Sequence, residues 1–148
     1  MNGGGGGAQV YVSGKHDLAT TRAMGIALPR QGRHRNLSLV ATYAPISGPG
    51  TKNDDRQAYY EELRRVCHKC RGKDNLLVIG GDMNAEPGRP TDDNEGRIIG
   101  ANGATRRSQT GDELIQFCKE EGLYIVSTCF YRQSRARGGT QGIAPRTS

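Results

Sequence analysis

The chain has 148 residues and a formal net charge of +6, enough length for one domain and a balance that favours polyanionic partners such as nucleic acid. Apolar residues make up only 34%, with 22 glycines, no Trp and two Phe, so any core must be thin and built from aliphatics and Tyr. No apolar run approaches the length of a membrane span, which argues against a spanning helix.

From the start, Met1–Gly7 is a glycine tract with nothing to bury. It reads as neither a signal peptide nor a phosphate loop, since no strand precedes it and no GK[ST] follows. Gln9–Ser13 suits a short strand and Met24–Leu28 a better one, closed by Pro29. A basic turn, RQGRHRN, follows over 30–36, and then LSLVATY forms a strand from Leu37 to Tyr43 in which Leu37, Leu39, Ala41 and Tyr43 share one face. Pro45 stops that strand, and a Gly/Pro loop leads to a helix capped by Asn53 or Asp54 and running to about Cys70 or Arg71. Its stripe is Tyr59, Leu63, Val66 and Cys70, widened by Tyr60 and Cys67. Arg64, Arg65, His68 and Lys69 fall mostly on the outer side.

Next comes NLLVIGGDMNA, residues 75–85. Leu76–Ile79 is an unbroken apolar run of the kind that suits a strand buried on both faces. Gly80 and Gly81 clear space for a close backbone or ligand. If the chain stays extended through Met83, Asp82 and Asn84 project together from the strand end. One carboxylate and one carboxamide then stand together at the end of a buried strand, a place suited to handling a phosphate. The same residues also suit a turn whose short polar side chains satisfy local backbone groups.

Residues 86–109 show little periodicity. TGDE, Thr110–Glu113, has the pattern of a capping box opening a helix that ends at Gly122, and LYIVST over 123–128 reads as a further strand. From Tyr131 the chain is basic, Gly-rich and aperiodic. Three segments are thus expected: a poorly ordered stretch over 1–22, a folded unit over 23–130 and a loose basic tail over 131–148. Strands alternating with helices indicate an α/β arrangement. Of the four Cys, 67 and 70 form CHKC without a second CxxC, so they read as small apolar helix residues rather than a zinc site. Nothing in the Cys count demands an oxidising compartment, and an intracellular location is expected.

The succession LVATYAP, amphipathic helix, LLVIGGDMNAEPG and NG…TGDELIQFCKEEGLYIVSTCF resembles the endonuclease/exonuclease/phosphatase family, with its DNase I-like fold. Within that family it is most similar to retrotransposon-type endonucleases and craniofacial-development-protein-2-like proteins. The resemblance runs from about Met24 to Phe130. It implies an α/β sandwich of two sheets flanked by helices, here partial and incomplete at both ends, and a metal-dependent phosphodiesterase, a DNA endonuclease using Mg²⁺. By position, Asp82 corresponds to the Asp that positions or deprotonates the attacking water, Asn84 to the Asn that hydrogen-bonds the phosphate, and Tyr43 to the Tyr that helps hold the scissile phosphate. Arg106, Arg107, Arg132 and Arg135 are candidate contacts to DNA phosphates.

The chain also departs from the family pattern. No segment before Met24 supplies the metal-binding Glu, and His16, His34 and His68 do not stand where the terminal Asp-His pair belongs, so no metal ligand is assigned. The resemblance therefore implies a truncated copy, weakly active or inactive alone. A non-catalytic nucleic-acid-binding fragment and an inactive remnant are the alternatives.

Overall fold

The computed structural model describes residues 9–12, 22–28, 36–46, 48, 53–71 and 76–130, and of residues 9–12 and 53 the backbone alone. The glycine tract, the basic turn and the tail, with Arg132 and Arg135, lie outside the described residues. The described elements form a four-stranded mixed sheet and two helices, which is a mixed α/β arrangement. Strands β1 (Gln9–Val12), β2 (Ala23–Leu28), β3 (Leu37–Tyr43) and β4 (Leu76–Asp82) lie side by side in chain order. The first two pairings are antiparallel. The third is parallel and is made across α1 (Asn53–Cys70), so β3, α1 and β4 form one crossover unit.

Register divides the sheet residues into two faces. On one, Ala23 and Gly25 of β2 meet Thr42 and Val40 of β3, which in turn meet Gly81 and Ile79 of β4. On β2 and β3 this face carries small side chains, and α1 lies close over it. A Cβ on Gly25 would stand 2.2 Å from the Cys70 sulfur, and the Ser38 hydroxyl donates to the Cys70 carbonyl at 2.6 Å. That bond satisfies one of the carbonyls left over at the helix C-terminus. Tyr59, Leu63, Val66 and Cys70 are buried as the helical stripe requires, together with Tyr60 and Cys67. Burial pushes the Cys67 thiol up to about 12, and that of Cys118 to about 11, so both behave as apolar packing residues.

The other face carries Met24, Leu39, Ala41, Tyr43, Leu76 and Val78, and among the described residues nothing covers it. Leu37, Leu39, Ala41 and Tyr43 share a face as expected, and it is the open one, while the less apolar Ser38, Val40 and Thr42 point into the core. One expectation changes here: β4 is an edge strand within the described sheet rather than one buried on both faces, with Leu76 55% and Val78 44% exposed.

Helix α2 (Gln109–Glu121) buries Leu114, Ile115, Phe117 and Cys118. Its rings and charges interlock with α1: Tyr60 and Phe117 stand 5.2 Å apart between centroids, and Arg64 reaches both Glu120 and Glu121. Gly122 closes it in the left-handed conformation, φ 63°. The capping box at Thr110–Glu113 is not formed. Ser108 is the N-cap, accepting the Gly111 N–H, and Glu113 pairs instead with Arg56 of α1. The strand expected over 123–128 is also absent. A single bridge joins Ile125 to Ile99, and Val126–Cys129 is a short 3₁₀ turn. The apolar run made a strand plausible, but no described strand lies alongside to supply a ladder.

Candidate functional site

Parallel pairing in register sets Tyr43 directly beside Asp82. Paired residues on neighbouring strands point to the same face, so phenol and carboxylate emerge together on the open side, at the C-terminal ends of β3 and β4. Both are exposed, Tyr43 at 48%. The strand ends at Asp82, and the backbone does not continue extended to Asn84. That residue has φ 45°, the only positive φ at a non-glycine position among the described residues.

Hydrogen bonds rather than strand alternation tie Asn84 to the two strand ends. Asp82 Oδ1 accepts the Asn84 N–H at 2.9 Å, which is the turn geometry that short polar residues offer. Asn84 Nδ2 donates to the Ala44 carbonyl at 2.8 Å, and the Ala44 N–H donates to the Asp82 carbonyl at 2.8 Å. The residue after Tyr43 is thus pinned at both its backbone groups by Asp82 and Asn84. Gly81 makes the approach possible: at φ 151°, a Cβ there would lie 1.8 Å from the Thr42 carbonyl oxygen.

Behind these residues lies a buried polar support that sequence reasoning did not identify. Arg56, 5% exposed, donates to the Pro45 carbonyl at 2.9 Å and pairs with Glu113, joining the end of β3 to both helices. Its position one turn before Tyr59 and Tyr60, on the apolar side of α1, was the available signal. The Thr42 hydroxyl gives its proton to the Arg22 carbonyl and so accepts from Tyr59, each at 3.0 Å. Burial, partly offset by the Thr42 bond, raises the Tyr59 phenol above its usual range, which keeps it a neutral donor.

Residues 86–108 are held by the side chain of Arg107. Its Nε donates to the Pro87 carbonyl at 2.8 Å, and Nη2 to the Arg89 carbonyl at 2.7 Å. The two Nη atoms also clasp Glu95 at 2.8 and 2.7 Å, and Nη1 faces Asp112 at 3.5 Å. All five N–H groups therefore face acceptors within the protein, and none is left for a nucleic-acid phosphate. Arg107 organises the loop, whereas Arg106 next to it is exposed. The bonds from Arg107, with those from Thr91, hold the Glu95 carboxyl down at about 2.

Glu86 is exposed, and Asn102 donates to the Cys129 carbonyl at 2.8 Å. His68 is bonded to Glu121 at 2.9 Å, between the C-terminal ends of the helices. Among the described residues no group of three or more His, Cys, Asp or Glu side chains could hold a metal ion. The strand ends supply one carboxylate, Asp82. No helix among the described residues is long and apolar enough to cross a membrane. No family model matches this chain, and no curated protein matches it either.

Proposed function

We propose that the ends of β3 and β4 form the phosphate-handling part of a phosphodiesterase of the endonuclease/exonuclease/phosphatase type, acting on DNA within a DNase I-like sandwich. One observation carries the reading: Tyr43 and Asp82 stand in register on the open face, with Asn84 tied to both strand ends. Ligands of parallel sheets gather at the C-terminal ends of strands, where backbone amides and turn residues converge.

The roles follow from the donor count. Asp82 spends one oxygen on the Asn84 N–H and keeps the other for an attacking water, from which it can take a proton. Asn84 spends one amide proton on Ala44 and keeps the second for a non-bridging phosphate oxygen. The Tyr43 hydroxyl donates to another phosphate oxygen from the neighbouring strand. Mg²⁺, which the family resemblance implies, would neutralise charge at the phosphate, and no step is routed through it.

The test is nicking of supercoiled plasmid in Mg²⁺ or in EDTA, by this chain and by Asp82→Ala. The expected result is Mg²⁺-dependent nicking that the substitution abolishes. If neither protein nicks, this chain does not carry the activity. The net charge of +6 favours a second reading, a non-catalytic nucleic-acid binder. It predicts DNA binding that weakens steeply with salt and is indifferent to chelators.

A further inference from the structure

Asn84 has a positive φ, which Asn tolerates better than most residues, and its neighbours reinforce that conformation with hydrogen bonds. Two of its bonds belong to the strand ends. The third comes from outside the sheet: the Thr110 hydroxyl, on the first turn of α2, donates to the Asn84 carbonyl at 3.0 Å. Thr110 is buried, 8% exposed.

The direction of the surrounding bonds can be fixed by counting protons. Thr110 has one hydroxyl proton and gives it to Asn84. The Ser108 hydroxyl, 2.9 Å away, must therefore donate to Thr110. The Ser108 oxygen in turn accepts two backbone N–H groups, from Glu86 at 3.1 Å and Gly111 at 3.0 Å. Both hydroxyl protons in this relay are used, and it has one polarity, from helix start to site loop. Close packing reinforces it: a Cβ on Gly111 would stand 2.0 Å from the Glu86 carbonyl oxygen, so the first turn of α2 lies directly on the backbone that follows Asn84.

We infer that Thr110 is a positioning residue for the proposed site, its hydroxyl holding Asn84 in the left-handed conformation that aims the carboxamide between the ends of β3 and β4. The inference rests on the phosphodiesterase reading for its catalytic consequence and on the hydrogen bonds above for its structural one. Thr110 touches no substrate. It acts through Asn84.

The experiment compares the full chain with Thr110→Val, which keeps shape and removes the hydroxyl, and with Thr110→Ser, which restores it. NMR of the unaltered chain should show a Thr110 hydroxyl proton slow to exchange, with a cross-peak to Asn84. The Asn84 backbone coupling should report a positive φ. In Thr110→Val that coupling should be lost and kcat for Mg²⁺-dependent nicking should fall about tenfold with little change in KM, as the loss of one buried hydrogen bond implies. Thr110→Ser should recover both. A freely exchanging hydroxyl in the unaltered chain overturns the inference even if Thr110→Val fails to fold. So does a folded Thr110→Val that keeps the Asn84 coupling and the nicking rate. Absence of nicking by the unaltered chain overturns the catalytic consequence and the functional reading together, while the NMR readouts still decide whether Thr110 holds Asn84.

Discussion

The two faces of the sheet are built from the same strands and look nothing alike. The face under α1 carries Ala23, Gly25, Ser38, Val40 and Thr42, while the open face carries Met24, Leu39, Tyr43, Leu76 and Val78. On β2 and β3 the larger apolar side chains are on the side that the described residues leave uncovered, and only β4 sends large ones, Leu77 and Ile79, to the covered side. Hydrophobicity alone therefore does not tell which face receives a helix; the distance of approach does. With the Ser38 hydroxyl 2.6 Å from the Cys70 carbonyl, the helix backbone lies too near the sheet for a Leu to stand between them.

The largest effect should come where the covered face meets the site. Gly81→Ala adds a Cβ against the Thr42 carbonyl at a φ that side chains avoid. Strain and overpacking of about 1–3 kcal/mol each should add, and urea denaturation should show β3–β4 pairing weakened by several kcal/mol. Leu63→Ala, at a fully buried position of α1, should cost about 2–5 kcal/mol by the same measurement. A small loss there would mean that the helix-covered face is not the core.

Removing one partner of the buried cluster that ties α1 to α2 comes next. Burial pushes the Glu121 carboxyl up, but hydrogen bonds from Arg64 and His68 outweigh it and hold the carboxyl below its usual range. Glu121→Gln should cost about 1–2 kcal/mol at neutral pH, measured by thermal unfolding, because the partners left behind are partly solvated. The sign with pH follows from the lowered folded value. The contribution of Glu121 is fully present above the unfolded pKa of about 4.3 and is lost as pH falls through the folded value. Glu95, held at about 2, adds acid sensitivity of the same sign over a range reaching down to that value. Stability that rose on acidification would contradict both pairings.

The smallest effect should be on the open face. Val78→Thr replaces a 44% exposed side chain with one of similar shape and should change the unfolding midpoint by no more than about 0.5 kcal/mol. A loss as large as that of Leu63→Ala would show that something covers this face in solution, and the comparison would have to be redrawn.

Much of the fold was legible in the residues themselves. The alternation and length of LSLVATY placed β3 at Leu37–Tyr43, and the stripe from Tyr59 to Cys70 with Asn53 ahead of it placed α1. Gly122 marked the end of α2. These are local signals, set by a side-chain period and by backbone freedom at the caps. The site was legible in part: GGDMN marked a strand end with polar residues. Its geometry was not, because Asn84 leaves the extended conformation and is held by Thr110 and Ala44, 26 and 40 residues away in sequence.

The sequence by itself determined where the chain turns from strand to helix and which residue types stand at the end of β4. Only the tertiary structure decided which face of β3 is covered, that β4 lies at the edge of the described sheet, that Ser108 rather than Thr110 caps α2, and that Arg107 faces inward to Glu95. Each of these depends on groups distant along the chain meeting at hydrogen-bonding or packing distance, and a local pattern carries no record of which partner will be there.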